Sequence, residues 1–279
     1  MKKVLVIGEN SYIGKSFEAF VKDRFEIKMV SSRDGAWKNV DFTGYDSVLH
    51  CAGIAHNSRN PKMEPLYYEI NCDLAVDVAN KAKRKNVGHF IFLSSILIYG
   101  SVASEISDET SPDPDDFYGN SKLKAEQELQ KLSDDRFRLC IIRPPMVYGN
   151  GCKGNFPRLV KLAKRTPVFP DYPNNRSMIY IENLCSFLCG IIDNNNYGTF
   201  LPQNKEWVNT TDLVWRASRL QSKRIRMVKL INPIITLLLK HSSSLNKMFG
   251  NLTYAHTGDE GDYNIVEFEE SIKRSIPNN

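Results

Sequence analysis

Through its first half the chain alternates short apolar runs with stretches of helical spacing, and that alternation restricts it to a parallel sheet covered by helices. Val4–Ile7 reads as a strand, and Ser16, Phe17, Phe20 and Val21 after Gly14 carry helical spacing. Ile27–Val30, Ser47–His50, Phe90–Leu93 and Leu139–Ile142 read as further strands, with helices expected over about 67–85 and 118–132. Short, continuously apolar strands are those buried on both faces. After Arg143-Pro144-Pro145 the texture changes, because Gly, Asn and Pro become frequent and the alternation loses its regularity. The expectation is an α/β chain: a doubly wound parallel sheet over 1–150, to which 177–198 returns, and a smaller C-terminal substrate-binding lobe from 151–176 and 199–279.

The first strand runs into Gly8-Glu9-Asn10-Ser11-Tyr12-Ile13-Gly14 and then into a helix. In a Rossmann-type sheet that junction points backbone N–H groups of a helix N-terminus at a pyrophosphate. Gly8 permits the tight turn and Gly14 close packing of helix on strand, whereas Ser11 stands where a Gly-x-x-Gly-x-x-Gly pattern has its middle glycine. Beyond the second strand lie Ser31-Ser32-Arg33. Two hydroxyls and an arginine suit a ribose 2′-phosphate and favour NADP(H); Asp34, able to serve a free ribose, keeps NAD(H) as the alternative.

Tyr118 and Lys122 lie four apart, on one face of a helix. A tyrosine of ordinary pKa about 10 is a poor acid–base group at neutral pH, and a nearby ammonium favours its phenolate. In a chain with 12 tyrosines this spacing arises about once by chance, so its context decides. A strand ending in Ser94-Ser95 places a hydroxyl at the C-terminal edge of the sheet, where α/β sites form.

The remaining composition narrows the partners. A net charge of +5 suits a phosphate-bearing substrate, while the absence of a basic block and of aromatic–basic repeats argues against nucleic acid. The six cysteines, at 51, 72, 140, 152, 185 and 189, form no Cys-x-x-Cys pair, so no metal is expected and a reducing cytoplasm is. Val4–Ile7 is too short for a signal peptide. Leu230–Leu239, interrupted by Asn232 and Pro233, is about half the length of a membrane span; it reads as a buried helix or hydrophobic patch, with membrane-surface contact a lesser alternative.

Several segments in order, His50-Cys51-Ala52-Gly53, Asn71, Ser95-Ile96-Leu97-Ile98-Tyr99-Gly100, Tyr118-x-x-x-Lys122 and Arg143-Pro144-Pro145-Met146-Val147-Tyr148-Gly149, resemble the extended short-chain dehydrogenase/reductases, the NAD-dependent epimerase/dehydratase family. Gly154-Asn155-Phe156-x-Arg158-Leu159 and Asn175-Arg176-Ser177 resemble a bacterial polysaccharide-cluster subgroup of UDP-sugar 4-epimerases and UDP-4-keto-6-deoxy-N-acetylhexosamine reductases. The resemblance implies Tyr118 as acid/base, Ser95 on the sugar oxygen and Lys122 on the nicotinamide ribose. It also implies that Asp41 and Phe42 contact adenine, that Cys51, Ala52, Gly53, Asn71 and Pro144 line the cofactor, and that Asn155, Arg158 and Arg176 bind the nucleotide sugar. A homodimer through the helices near 67–85 and 118–132 is implied too.

Reduction and epimerisation use the same groups. The second-strand end and the short 41–45 segment, which leaves little room for a helix before the next strand, favour an NADPH-dependent 4-keto reductase over an NAD-dependent 4-epimerase. A non-catalytic NADP-binding regulator is a remote alternative, since Ser95, Tyr118 and Lys122 are all retained.

Overall fold

The structure is a computed structural model and describes residues 1–55, 60–100, 105–239, 241–258 and 261–276. In chain order the strands are β1 (Lys3–Ile7), β2 (Glu26–Val30), β3 (Ser47–His50), β4 (His89–Leu93), β5 (Glu105–Ile106), β6 (Arg138–Ile142), β7 (Met146–Tyr148), β8 (Val168–Pro170), β9 (Met178–Tyr180), β10 (Gly198–Phe200), β11 (Arg226–Val228) and β12 (Thr253–Tyr254). The helices are α1 (Tyr12–Val21), α2 (Glu64–Tyr68), α3 (Leu74–Arg84), α4 (Phe117–Gln130), α5 (Asn155–Arg165), α6 (Ile181–Asn194), α7 (Thr210–Leu220), α8 (Asn232–Leu239), α9 (Ser243–Phe249) and α10 (Phe268–Ser275).

The chain divides into two compact units. One comprises Met1–Gly100, Pro112–Pro144 and Leu184–Pro202; the other comprises Ser101–Ser111, Pro145–Asn183 and Gln203–Asn279.

The first unit is built on a parallel sheet in the order β10-β6-β4-β3-β1-β2. The apolar runs of the sequence are its central strands: Val4–Ile7, Val48–Leu49 and Phe90–Phe92 are fully buried. Because β1 pairs with β2 on one side and β3 on the other, the chain reverses its winding there, and a crevice opens at the carboxyl ends of β1 and β3. Between β2 and β3 only a 3₁₀ turn, Ala36–Asn39, intervenes, in keeping with the short segment before β3. Helices α3 and α4 approach the sheet through small residues: Ala75, Ala79, Ala82 and Ala125 pack with Val48, Phe90 and Phe92.

The helix expected over 67–85 is not continuous. It is α2, then a π-helical turn at Glu69–Asp73, then α3. The extra residue in that turn accompanies Asn71, whose amide bonds the Ile54 backbone in both directions (2.8 and 3.0 Å) and the Ser121 hydroxyl (3.0 Å).

An ion pair ties α4 to the end of β6. Arg143 forks onto Glu126, Nε to Oε1 at 3.1 Å and Nη2 to Oε2 at 2.6 Å, while its Nη1 donates to the Tyr99 hydroxyl at 2.6 Å. Glu126 is almost wholly buried. A bidentate Arg–carboxylate pair with its remaining donors satisfied is the form in which a buried pair tolerates its desolvation.

The second unit contains the parallel pairs β7–β9, β8–β11 and β5–β12. Its buried centre is polar: the Tyr148 hydroxyl meets Ser271 Oγ at 2.6 Å and accepts from Asn204 at 2.9 Å, and Asn183 donates to Asn204 and Asn264. The Leu230–Leu239 run forms α8, of which Ile235 alone is buried, so the patch reading holds and the buried-helix reading does not.

Arg143→Met would leave the Glu126 carboxylate buried without its partner, at a cost of about 3–5 kcal/mol. Urea unfolding is expected to show that loss, and adding Glu126→Leu to recover most of it; equal midpoints for wild type and the single variant would show that the pair carries no weight.

Candidate active site

The turn after β1 is set by close approach. Gly8 has φ of 116°, and a Cβ there would stand 2.9 Å from the Ala52 amide nitrogen. The N–H groups of Gly8 and Glu9 both reach the Val30 carbonyl, at 2.8 and 3.1 Å, locking the turn to the end of β2. Ser11 caps α1: its hydroxyl accepts from the Gly14 N–H at 2.9 Å, and a Cβ on Gly14 would lie 2.6 Å from that oxygen. The serine in place of the middle glycine is therefore the N-cap of α1, and Gly14 is held to glycine by it. Tyr12 and Ile13 open the helix and are half-buried.

Beyond β2, Ser31 and Ser32 are half-buried and Arg33 is exposed, its N–H donating to Ser31 Oγ at 3.2 Å. Among the described residues Arg33 enters no ion pair. Asp41 and Phe42 diverge. The Phe42 ring is fully buried in the core, whereas Asp41 is exposed, bonded to Thr43 and 3.4 Å from the Lys85 ammonium. The Thr43 hydrogen bonds hold its carboxyl below the usual carboxylate range.

At the carboxyl ends of β3 and β4 the structure brings the other residues together. Ser95, extended and nearly buried, accepts from the Leu97 N–H at 3.2 Å and stands near enough to Tyr118 to act against the rise in its pKa. Ser94 is buried with no partner for its hydroxyl among the described residues, so of the two serines it is Ser95 that faces the tyrosine. Tyr118 lies in the first turn of α4, capped by Asp116, which accepts from the Gly119 N–H at 2.9 Å. Gly119 has to be glycine: a Cβ there would stand 2.5 Å from the Leu97 carbonyl. One turn on, the Lys122 ammonium is buried, donates to the Leu93 carbonyl at 2.8 Å and lies 4.6 Å from the centre of the Phe92 ring. A Cβ on Gly53 would come within 3.0 Å of Asn71 Oδ1 and 3.3 Å of Lys122 Nζ. Burial pushes the Cys51 thiol up to about 12, with Ser11 acting the other way. The Pro144 carbonyl accepts from the Ile96 N–H at 3.0 Å.

The electrostatics differ from expectation. Burial pushes Tyr118 up to about 12, with the Ser95 hydrogen bond acting the other way. The Lys122 ammonium is not among the groups that shift it. Burial presses Lys122 itself down to about 8. Sequence reasoning missed several members of this site: Glu126 and Arg143, Asp116 as cap, Tyr67 edge-on to Tyr118 at 6.4 Å, and His50, buried with both ring nitrogens unpartnered among the described residues and held near 3 by burial and by Lys122. Asp116, two residues before Tyr118, is the one with a readable signal, since Asp before a helix is a cap.

The expected substrate residues belong to the second unit. Asn155 and Arg158 lie on the first turn of α5, half-buried and exposed respectively. Arg176 sits between Val208 and Leu252 in isolated bridges, and its Nη1 donates to the carbonyls of Gly250 at 2.8 Å and Asn246 at 3.3 Å. Burial lowers it to about 10, and no carboxylate among the described residues pairs with it. Among the described residues no hydrogen bond or ion pair joins these three side chains.

Residues 4–200 match the NAD dependent epimerase/dehydratase family. The chain belongs to that family, within the extended short-chain dehydrogenase/reductases. It is 35% identical over 178 residues to a UDP-glucose 4-epimerase of Vibrio cholerae, covering 60% of this chain and 54% of that protein. It is 27% identical over 256 residues to the N-acetyl-alpha-D-glucosaminyl-diphospho-ditrans,octacis-undecaprenol 4-epimerase of Escherichia coli O157:H7, covering 83% of this chain and 76% of that one. The chain thus spans about half the length of the first of these curated relatives. A crystal structure of a dTDP-4-dehydrorhamnose reductase from Clostridium acetobutylicum has the same fold, with a TM-score of 0.78 over 98% of both chains at 19% identity.

Because Lys122 is pressed below its ordinary value in the fold, the folded chain binds fewer protons than the unfolded one between about pH 8 and 10.5. Stability contributed by this group is therefore absent below pH 8 and gained as pH rises through that window. From pH 7 to 10 the wild type is expected to gain about 2–3 kcal/mol relative to Lys122→Met in denaturant unfolding; parallel pH profiles would refute the buried ammonium.

Proposed function

We propose that the chain is an NAD(P)-dependent enzyme acting at C4 of a diphosphate-linked sugar, and that it runs as an NADPH-dependent 4-keto reductase on a UDP-4-keto-6-deoxy-N-acetylhexosamine type of substrate. The observation that carries the reading is the meeting of Ser95, Tyr118 and Lys122 at the carboxyl edge of the sheet, beside the glycine turn. The residues present fit a dinucleotide: Gly8 and Gly14 close a turn that a side chain would fill, and Lys122 is a buried cation hydrogen-bonded to a backbone carbonyl. Gly8, Ser11, Tyr12, Ile13 and Gly14 would hold its pyrophosphate, and Asn71 and Lys122 the nicotinamide end.

The dihydronicotinamide, when bound, supplies the hydride that C4 takes up. Ser95 holds the C4 oxygen by a hydrogen bond, and Tyr118 gives its proton to that oxygen as the carbonyl becomes an alcohol. A phenol pushed up to about 12 is fully protonated at neutral pH, as a proton donor must be. The fixed Lys122 charge is the group that stabilises the phenolate left behind once the ribose lies against it. In the second unit Arg176 is a guanidinium without a carboxylate, which suits a diphosphate, and Asn155 and Arg158 would complete that contact.

The choice of cofactor rests on Ser31, Ser32 and the unpaired Arg33 beyond β2, a set suited to a 2′-phosphate. A homodimer through α3 and α4 forms part of this reading. The alternative, an NAD-dependent 4-epimerase, is favoured by the two relatives described above, both 4-epimerases, one of UDP-glucose and the other of an undecaprenol-diphosphate sugar.

Tyr118→Phe is expected to lower turnover about 10²–10⁴-fold with little change in cofactor affinity; undiminished activity would remove Tyr118 from the mechanism. Purified protein should consume added NADPH with a UDP-4-keto-6-deoxy sugar, and Arg33→Ala should raise the KM for NADPH more than that for NADH. Stoichiometric tightly bound NAD, with turnover of UDP-N-acetylglucosamine and no added cofactor, would establish the epimerase instead.

A further inference from the structure

The positive charge of this chain is concentrated in one stretch. Between Asp212 and Asp259 there are eight Lys and Arg residues and no Asp or Glu, whereas the other 29 basic residues are outnumbered by all 32 acidic ones. Within that stretch lies the most exposed apolar surface of the second unit. Leu230 is 89% exposed, Ile234 59%, Leu237 69% and Leu238 41%, and Ile231 joins them at 37%. Ile234, Leu237 and Leu238 lie on one face of α8, and Leu230 and Ile231 in the turn before it extend the exposed run, with Ile235 buried at its border. Single exposed leucines are ordinary; five within nine residues form a patch that marks a binding surface.

The surroundings decide what binds. Arg219, Lys223, Arg224 and Arg226 are exposed beside α8 in the sequence, and Lys229 adjoins the apolar run, weakly paired to Asp171 at 3.6 Å. Trp215, 42% exposed, lines an open hollow of about 540 Å³ together with Met227, Lys229 and Asn232, so an amphipathic aromatic stands at the start of the same helix. A short helix with an apolar stripe, flanking cations and a neighbouring Trp is the pattern of a segment lying in a bilayer interface. Asp171 and Asp212 also line that hollow and pair with Lys229 and Arg216, whereas Lys223, Arg224 and Arg226 enter no ion pair among the described residues. A second copy of this chain fits less well, because a two-fold contact through the same face would bring those cations together. Ten residues, seven of them Leu or Ile, are about half of a span, so the segment lies on the surface rather than crossing it.

We propose that α8 and the cationic residues before it form a docking surface for an anionic lipid bilayer. The apolar stripe enters the acyl boundary while Lys223, Arg224 and Arg226 meet lipid phosphates.

Co-sedimentation of the full chain tests this with vesicles of phosphatidylcholine alone and with about a third phosphatidylglycerol. Binding is expected to the anionic vesicles, to weaken strongly in about 0.5 M salt, and to be lost in Ile234→Glu/Leu237→Glu. Arg224→Gln/Arg226→Gln should weaken it about fivefold per cation removed. Thermal melts check that the variants fold; both alter exposed residues, and unchanged melting temperatures are expected. No binding to anionic vesicles, or binding undiminished in the folded Ile234→Glu/Leu237→Glu protein, overturns the proposal. So does a dimer in light scattering that this variant dissociates while vesicle binding is absent.

Discussion

The buried ammonium of Lys122 is the constraint around which the first unit is arranged. A cation taken from water has to be met by dipoles, and here the Leu93 carbonyl and the face of Phe92 meet it. Both lie on β4, so the charge registers α4 against the central sheet. One turn earlier on the same helix, Tyr118 is thereby brought to Ser95 at the end of that strand. One turn later, Glu126 carries the helix onto Arg143 and Tyr99. The three groups are spaced at four residues along one helix face, so a single rigid element sets proton donor, cation and anchor together.

This arrangement holds the site at a cost in stability. Lys122 is pressed down, Tyr118 pushed up, and His50 sits apolar-walled with unpartnered nitrogens. Groups whose charged forms are disfavoured by burial cluster where chemistry is carried out, because a low-dielectric site strengthens each interaction made with a bound substrate. His89 in the same unit differs: it is bonded by Ser47 and Asn196 at 3.0 Å each and stays neutral, a structural histidine.

Much of the fold was legible because a parallel sheet buried on both faces leaves continuous apolar runs, and Val4–Ile7, Ser47–His50 and Phe90–Leu93 are such runs. Helix α4, with Tyr118 and Lys122 one turn apart, was legible through its Tyr-x-x-x-Lys spacing. The interruption at Asn71 was not, since a π-helical turn is decided by partners distant in sequence, Ile54 and Ser121. Nor was the pairing of Glu126 with Arg143: each is an ordinary charged residue until α4 and β6 lie side by side. Leu230–Leu239 shows the converse. Its apolarity is plain in the sequence, but exposure depends on whether a neighbour covers the helix.

The sequence by itself determined the alternating architecture, the glycine turn and the membership of the family, because each shows in local motifs and their order. Only the tertiary structure decided that Ser11 is a helix cap, that Phe42 is core while Asp41 is surface, and that burial holds Tyr118 toward its protonated form. The reason is the same in each case. Burial and hydrogen-bond partnership are properties of residues brought together from distant parts of the chain, and they determine how a side chain ionises and what it can touch.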